Sequence, residues 1–202
     1  MFTGLIKEIA KVREFSGDRL ALEAKYRPNI GDSIAVNGAC LSVTKLFGGG
    51  FEVELSEETQ RVVATENYRH KVHIEPALKV GDRLEGHIVQ GHIDAIGKIT
   101  KIEKKAGSTD FYIQVPKEKI KLIAPKGSIA VDGVSLTVNE VYDESFRLTL
   151  IPITLKNTLF GTYKAGRRVN IETDMFARYL YHMFNKDKNP TWEEIEKIQA
   201  LF

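Results

Sequence analysis

The chain has 202 residues, with 29 Lys and Arg against 27 Asp and Glu, a formal net charge of +2. That near-neutral balance, with 43% hydrophobic and 28% charged residues, argues against a strongly basic nucleic-acid binder, an acidic tail or a low-complexity chain. The single cysteine, Cys40, excludes an internal disulfide and a multi-cysteine zinc site, and no apolar run approaches the ~20 residues of a membrane helix.

The N-terminal MFTGLIKEIAKV carries Lys7, Glu8 and Lys11 inside its apolar pattern, unlike a secretory signal, so the cytoplasm is the expected location. From Ser33 onward the chain turns out to be written twice. Ser33 to Val43 reads SIAVNGACLSV, and at a shift of 95 residues Ser128 to Val138 reads SIAVDGVSLTV, identical at seven of eleven positions. The same shift pairs FEVELSEET, from Phe51, with FRLTLIPIT, from Phe146. A shift of 97 pairs KVHIE, 71–75, with RVNIE, 168–172, and FTGLIKEIAKV aligns with VQGHIDAIGKI, 89–99. Two tandem modules follow, 1–86 and 87–174, with a tail segment over 175–202.

Within each module the apolar period is two and glycines separate short runs, the pattern of an all-β barrel or sandwich. Leu41 and Val43 face the core with Cys40, Ser42 and Thr44 opposite; Leu136 and Val138 oppose Ser135, Thr137 and Asn139. Gly48-Gly49-Gly50 precedes a strand rather than a helix, so it predicts a hairpin turn and not a phosphate cradle. The stretches 59–66 and 154–160 each suit a helical turn that plugs a barrel mouth, and Lys98, Lys101, Lys104 and Lys105 read as a solvated hairpin. In the tail, Phe176, Leu180, Met183 and Phe184 fall at helical spacing between Asp174 and Lys186. Past a break near Pro190, Thr191 and Glu194 form a capping box ahead of Trp192, Ile195, Ile198 and Leu201. Such a stripe docks on its own barrel or on a neighbouring subunit, and oligomerisation is the expectation here.

Metal binding is not expected. Five positions apart on a strand, His87 and His92 face opposite sides, as do His70 and His73. His70, His73 and His182 read as structural or surface residues, whereas His92 stands where the first module has Leu5, a contact only one copy needs. The hydroxyl row Ser33, Ser42, Ser128, Ser135 and Thr137 is the stronger signal, because small neutral donors at equivalent positions suit a planar heterocycle rich in ring heteroatoms. Cys40, whose counterpart is Ser135, has no evident adjacent base and reads more readily as an unreactive thiol than as a nucleophile.

The segments MFTG, NGACLSV, GHIVQGHID, KGSIAVDGVSLTV, LIP and VNIETD resemble the duplicated signatures of the riboflavin synthase family, α-chain type, over essentially the whole chain. The resemblance implies two six-stranded Greek-key barrels, a C-terminal helix that assembles a homotrimer, and no cofactor or metal. It also implies one substrate, 6,7-dimethyl-8-ribityllumazine, used twice: one molecule gives a four-carbon unit to another, yielding riboflavin and 5-amino-6-(D-ribitylamino)uracil. Lumazine synthase is a further candidate partner; nucleic acid and membrane are not expected. In the family the pocket lies between the first barrel of one subunit and the second barrel of another.

Carried over by motif, the catalytic or orienting residues are Phe2, Ser33, Cys40, His92, Ser135 and Thr137. The ligand contacts assigned to the first barrel are Gly4, Leu5, Ile6, Cys40, Leu41, Ser42, Glu54, Leu55, Ser56, Glu57, Glu58 and Thr59. Those assigned to the second are Gly91, His92, Ile93, Lys126, Ser135, Leu136, Thr137, Thr149, Leu150, Ile151, Pro152, Ile153 and Thr154. The family reads PET where this chain has Pro152, Ile153 and Thr154, so a polyol-binding carboxylate is expected only at Glu58. Lumazine-binding antenna proteins, which share the barrels without turnover, are the rival reading; retention of Phe2, Cys40, His92, Ser135 and Thr137 together favours the enzyme.

Overall fold

A computed structural model describes residues 1–186, so the expected capping box and stripe beyond Pro190 lie outside the described residues. Strands β1 (Glu8–Ser16), β2 (Arg19–Glu23), β3 (Ser33–Val36), β4 (Ala39–Phe47), β5 (Gly50–Glu54) and β6 (Lys71–Pro76) close in the order β1-β2-β5-β4-β3-β6. Strands β7 (Ala95–Lys104), β8 (Thr109–Gln114), β9 (Ser128–Val131), β10 (Val134–Val141), β11 (Ser145–Leu150) and β12 (Arg168–Thr173) repeat that ring as β7-β8-β11-β10-β9-β12. The expected pair of six-stranded antiparallel barrels is therefore present, and closure leaves no sheet edge exposed.

Alternation does the local work. Leu20, Leu22, Ile34, Leu41, Val43, Phe51, Val53, Val72 and Ile74 turn inward to fill the first barrel. Ile99, Phe111, Ile113, Ile129, Val138, Phe146, Leu148, Val169 and Ile171 fill the second. Each such side chain contributes about 1.5–3 kcal/mol on burial. Gly48 and Gly49 form the turn joining β4 to β5, as the spacing predicts. Asn37-Gly38 and Asp132-Gly133 form the tight turns before β4 and β10, all four residues at positive φ, the geometry two-residue hairpins require.

The mouths are plugged where expected, although each helix starts two residues earlier than the sequence suggests. Helix α1 (Glu57–Val62) begins at Ser56, whose hydroxyl accepts the Thr59 N–H at 3.1 Å. A helical turn without expectation, α2 (Lys117–Ile120), fills the β8–β9 connection, and α3 (Pro152–Asn157) starts on a proline at its first position. The tail helix α4 (Met175–Lys186) matches the period of its apolar residues.

A buried polar seam joins the barrels with two-fold pseudosymmetry. His73 and Asn170 occupy equivalent places. The His73 Nδ1–H donates to the Asp132 carbonyl at 2.8 Å, and its Nε2 accepts the Leu159 N–H at 2.7 Å. Asn170 donates to the Asn37 carbonyl at 2.9 Å and accepts the Ala64 N–H at 2.7 Å. His73 is structural, as expected, and must be neutral, because one of its nitrogens accepts a backbone N–H. Burial lowers its pKa from 6.5 to about 4.

The linkage has a definite sign. With the folded pKa depressed, the unfolded chain binds more protons, so the contribution is complete above pH 6.5 and is lost as pH falls towards 4. It amounts to roughly 3 kcal/mol. Replacing His73→Asn should flatten the denaturation free energy across that window relative to the parent. The buried Asp132, Glu75 and Glu172, raised by desolvation, contribute the opposite slope in both proteins. Urea titrations at pH 4.5 and 7 check this, and parallel pH profiles would exclude His73 as the source.

Candidate active site

Two short straps form the mouths. The first, Met1–Lys7, precedes β1; the second, His87–Asp94, precedes β7. They pair at their centres, where the Phe2 N–H donates to the Val89 carbonyl at 2.7 Å and the Val89 N–H returns to Phe2 at 3.1 Å. Phe2 is fully buried there with Ala35, Val89 and Ala130, so its ring anchors the straps.

Each strap is fastened to its own barrel by a buried carboxylate. Glu75 accepts from the Thr3 N–H and hydroxyl, both at 2.7 Å, and from the Gly4 N–H at 3.0 Å. Glu172, its counterpart, accepts from the Gln90 and Gly91 N–H groups at 2.7 and 2.8 Å. Burial raises both carboxyl pKa values, against the hydrogen bonds, which favour the charged form.

The free side of each strap serves the other barrel. The Gly4 carbonyl accepts the Ser135 N–H at 2.8 Å, and the Gly91 carbonyl accepts the Cys40 N–H at 2.9 Å. Ile6 packs on the second-barrel core, and Ile93 packs on the first. This corrects the grouping read from sequence. Gly4, Leu5 and Ile6 join Ser135 rather than Cys40, while Gly91, His92 and Ile93 join Cys40 rather than Ser135. Sequence order places each strap with its own module, and only packing reveals the exchange. A cut between residues 86 and 87 would therefore give each barrel the wrong strap.

At the second-barrel mouth Gly4, Leu5, Ile6, Val134, Ser135, Ile153, Thr154, Asn157 and Thr158 line a cavity of about 230 Å³. Ser135 stands beside His87, with Nδ1 2.7 Å from the hydroxyl oxygen. The His87 ring is buried, which lowers its pKa; the Asp174 charge offsets part of that shift. The Nε2 atom is buried and has no hydrogen-bond partner among the described residues. A neutral imidazole paired with a hydroxyl is the arrangement of a general base.

Sequence reasoning missed His87. It precedes the aligned repeat, so no counterpart in the first module drew attention to it. The segment carrying it and His92 is irregular rather than a strand, so strand alternation did not apply.

The other expected residues distribute as follows. Cys40 is half-buried, and Ser42 and Thr137 are exposed. Ser33 is half-buried and pairs across the sheet with Ser42, which pairs with Glu54. Leu41, Leu55 and Leu150 bury their side chains in the cores, so only their backbones face a mouth; Leu136 is half-buried against the second core. Ser56 is the α1 cap, Glu57 pairs with Arg61, and Glu58 and Thr59 follow on the helix. The Thr149 hydroxyl is held by Asp110 and Arg147. Ile151, Pro152 and Ile153 are exposed at the start of α3, and His92 is exposed with its carbonyl near Arg178. Lys126 adopts φ +65° where the first copy has Gly31, a left-handed geometry that disfavours side chains.

The tail helix also clamps the second strap, since Arg178 reaches Asp94 at 3.1 Å, Glu172 at 3.6 Å and the Gln90 side-chain Oε1 at 2.7 Å. Docking on its own barrel and an exposed apolar face thus coexist: Phe176, Tyr179, Leu180, Met183 and Phe184 remain largely exposed. Among the described residues no three His, Cys, Asp or Glu side chains cluster to hold a metal ion, and no helix is long and apolar enough to cross a membrane.

The lumazine binding domain family matches residues 3–77 and 90–174. The chain is 40% identical over 202 residues to riboflavin synthase of Brucella abortus (strain 2308), covering 93% of this chain and all of that protein. It is 36% identical over 207 residues to riboflavin synthase of Bacillus subtilis (strain 168), covering 98% and 96%. Among solved structures, LumP complexed with riboflavin aligns with a TM-score of 0.78 at 22% identity, covering 86% of this chain and 100% of that one; LumP complexed with 6,7-dimethyl-8-(1'-D-ribityl) lumazine aligns at 0.76 and 20%, covering 86% and 99%. The barrels carry the likeness in fold, and the near-complete sequence matches carry the lineage: the chain belongs to the riboflavin synthase family, built on two lumazine binding domains.

Proposed function

We propose that the chain catalyses the dismutation of two 6,7-dimethyl-8-ribityllumazine molecules, one held at each mouth. The observation that carries this reading is the Ser135–His87 pair beside the second-barrel cavity. The substrate's ring-bound methyl is acidic because its anion delocalises into the heterocycle. His87, neutral through burial, accepts the Ser135 proton as that hydroxyl takes one from the methyl carbon. The carbanion then attacks the second lumazine, and transfer of the four-carbon unit leaves riboflavin and the diaminouracil. Orientation of two similar substrates by two similar mouths supports much of the acceleration, since well-placed reactants offset roughly 7–11 kcal/mol of barrier.

In this reading Cys40, Ser33, His92 and Thr137 orient ligand, and Phe2 acts through the straps. An antenna protein needs no paired base beside its ligand, so the Ser135–His87 pair favours the enzyme. Incubating the protein with the lumazine alone and following riboflavin fluorescence tests the proposal; binding without turnover would favour the antenna role.

The exposed apolar face of α4 supports assembly as a homotrimer that brings mouths of different subunits together. The lumazine-forming enzyme is a natural neighbour in the cytoplasm. Leu180→Glu with Phe184→Glu, both exposed on the described chain, should yield monomers with little turnover. Sedimentation alongside the assay checks it, and a fully active monomer would remove the shared-site reading.

A further inference from the structure

The two mouth helices differ in one systematic way. Helices α1 and α3 are copies at a shift of 95 residues, and residues four apart on a helix share a face. On that face α1 carries Glu58 and then Val62, while α3 carries Ile153 and then Asn157. Each presents one polar and one apolar side chain, in opposite order. The polar group of the second mouth therefore stands four residues, or about one turn, further along, a rise of about 6 Å.

Ile153 and Asn157 both line the second-barrel cavity. Two of the other polar side chains of that wall are already engaged, which leaves the Thr154 hydroxyl beside the Asn157 carboxamide. Ser135 is paired with His87, and Thr158 donates to the Thr154 carbonyl at 2.7 Å and accepts the Phe160 N–H at 3.3 Å. Leu5, Ile6, Val134 and Ile153 bring no polar side-chain atom. A ligand made of a flat ring and a polyol chain needs hydrogen-bonding groups at its polyol end, because hydroxyls removed from water without partners weaken binding.

We propose that Asn157 holds the polyol chain in the second-barrel site, an assignment that rests on the ribityllumazine reading above. A carboxamide both donates and accepts, so it matches hydroxyls without bringing charge. None of the residues lining this cavity carries a charge, so no carboxylate among them opposes the anion formed beside Ser135. The displaced polar position thus lets one mouth hold the polyol while remaining uncharged, and the other mouth keeps Glu58.

The test compares two ligands on the full chain by equilibrium dialysis: 6,7-dimethyl-8-ribityllumazine, and 6,7,8-trimethyllumazine, which has the ring but a methyl in place of the polyol. Asn157→Ala should weaken one of the ribityllumazine sites about tenfold, the scale of a lost hydrogen bond or two. It should leave the trimethyl ligand unaffected and raise KM more than it lowers kcat. The pair Ile153→Glu with Asn157→Val, which copies the α1 order, should restore most of the ribityllumazine affinity. Equal affinities in parent and Asn157→Ala, or equal losses for both ligands, would overturn the assignment while the functional reading stands. A parent chain that binds neither ligand would overturn that reading and this assignment together.

Discussion

Gly91→Ala should eliminate ligand binding at the first-barrel mouth and leave the second barrel folded. Gly91 has φ +80°, and a Cβ there would sit 2.5 Å from the Cys40 Cβ and 2.8 Å from its backbone N. Neither atom yields easily, because Cys40 is held in the β3–β4 ladder opposite Ala35. The strap must lift, breaking the Cys40 N–H bond to the Gly91 carbonyl and straining the two N–H bonds to Glu172. Left-handed backbone alone costs an alanine roughly 1–2 kcal/mol. A lost bond to a charged acceptor adds about 1.5–3 kcal/mol. Gly4→Ala is the mirror experiment, since a Cβ there lies 2.6 Å from the Ser135 Cβ. Titration with ribityllumazine should show each variant losing one site, a different one in each. Two unchanged sites in Gly91→Ala would show that the strap is not part of the mouth.

His87→Gln should lower kcat by about 10²–10⁴, the usual contribution of a positioned base, with little change in stability. Its acid limb supplies a second readout. Because burial lowers the His87 pKa, the parent enzyme should keep its rate below the ordinary imidazole value of 6.5 and lose it only as the ring protonates at more acid pH. In His87→Gln that limb should vanish. Ser135→Ala should cost a similar factor, and the double variant little more than either single one, because the two groups move one proton. Additive losses, or an acid limb that survives in His87→Gln, would place the base elsewhere.

Much of this molecule is local. Alternation of Leu41 and Val43 with Cys40 and Ser42 builds β4 with one wet face, and the repeat at a shift of 95 residues builds β10 the same way. Strand content, the hairpin at Gly48 and the tail helix were therefore legible, since each depends on neighbours within a few residues. The repeat counted the modules, while the choice of barrel over sandwich came from the family resemblance. Helix starts were less so, because Ser56 and Pro152 set them through a cap and a fixed φ rather than through apolar period. The duplicated hydroxyl row led to Ser135 but not to its partner.

What the residue order determined was two copies of one barrel, each with the side-chain types a neutral heterocycle needs. What only the tertiary structure decided was how the copies share their parts. FTGL and VQGH have the same local character, and nothing in either says whose mouth it covers. That choice belongs to groups far apart in sequence: Glu75 and Glu172 hold the strap N–H groups from one side, and Ser135 and Cys40 take the carbonyls from the other. The same folding brings His87 to Ser135 across 48 residues, a pairing no periodicity encodes because it exists only once both elements are packed.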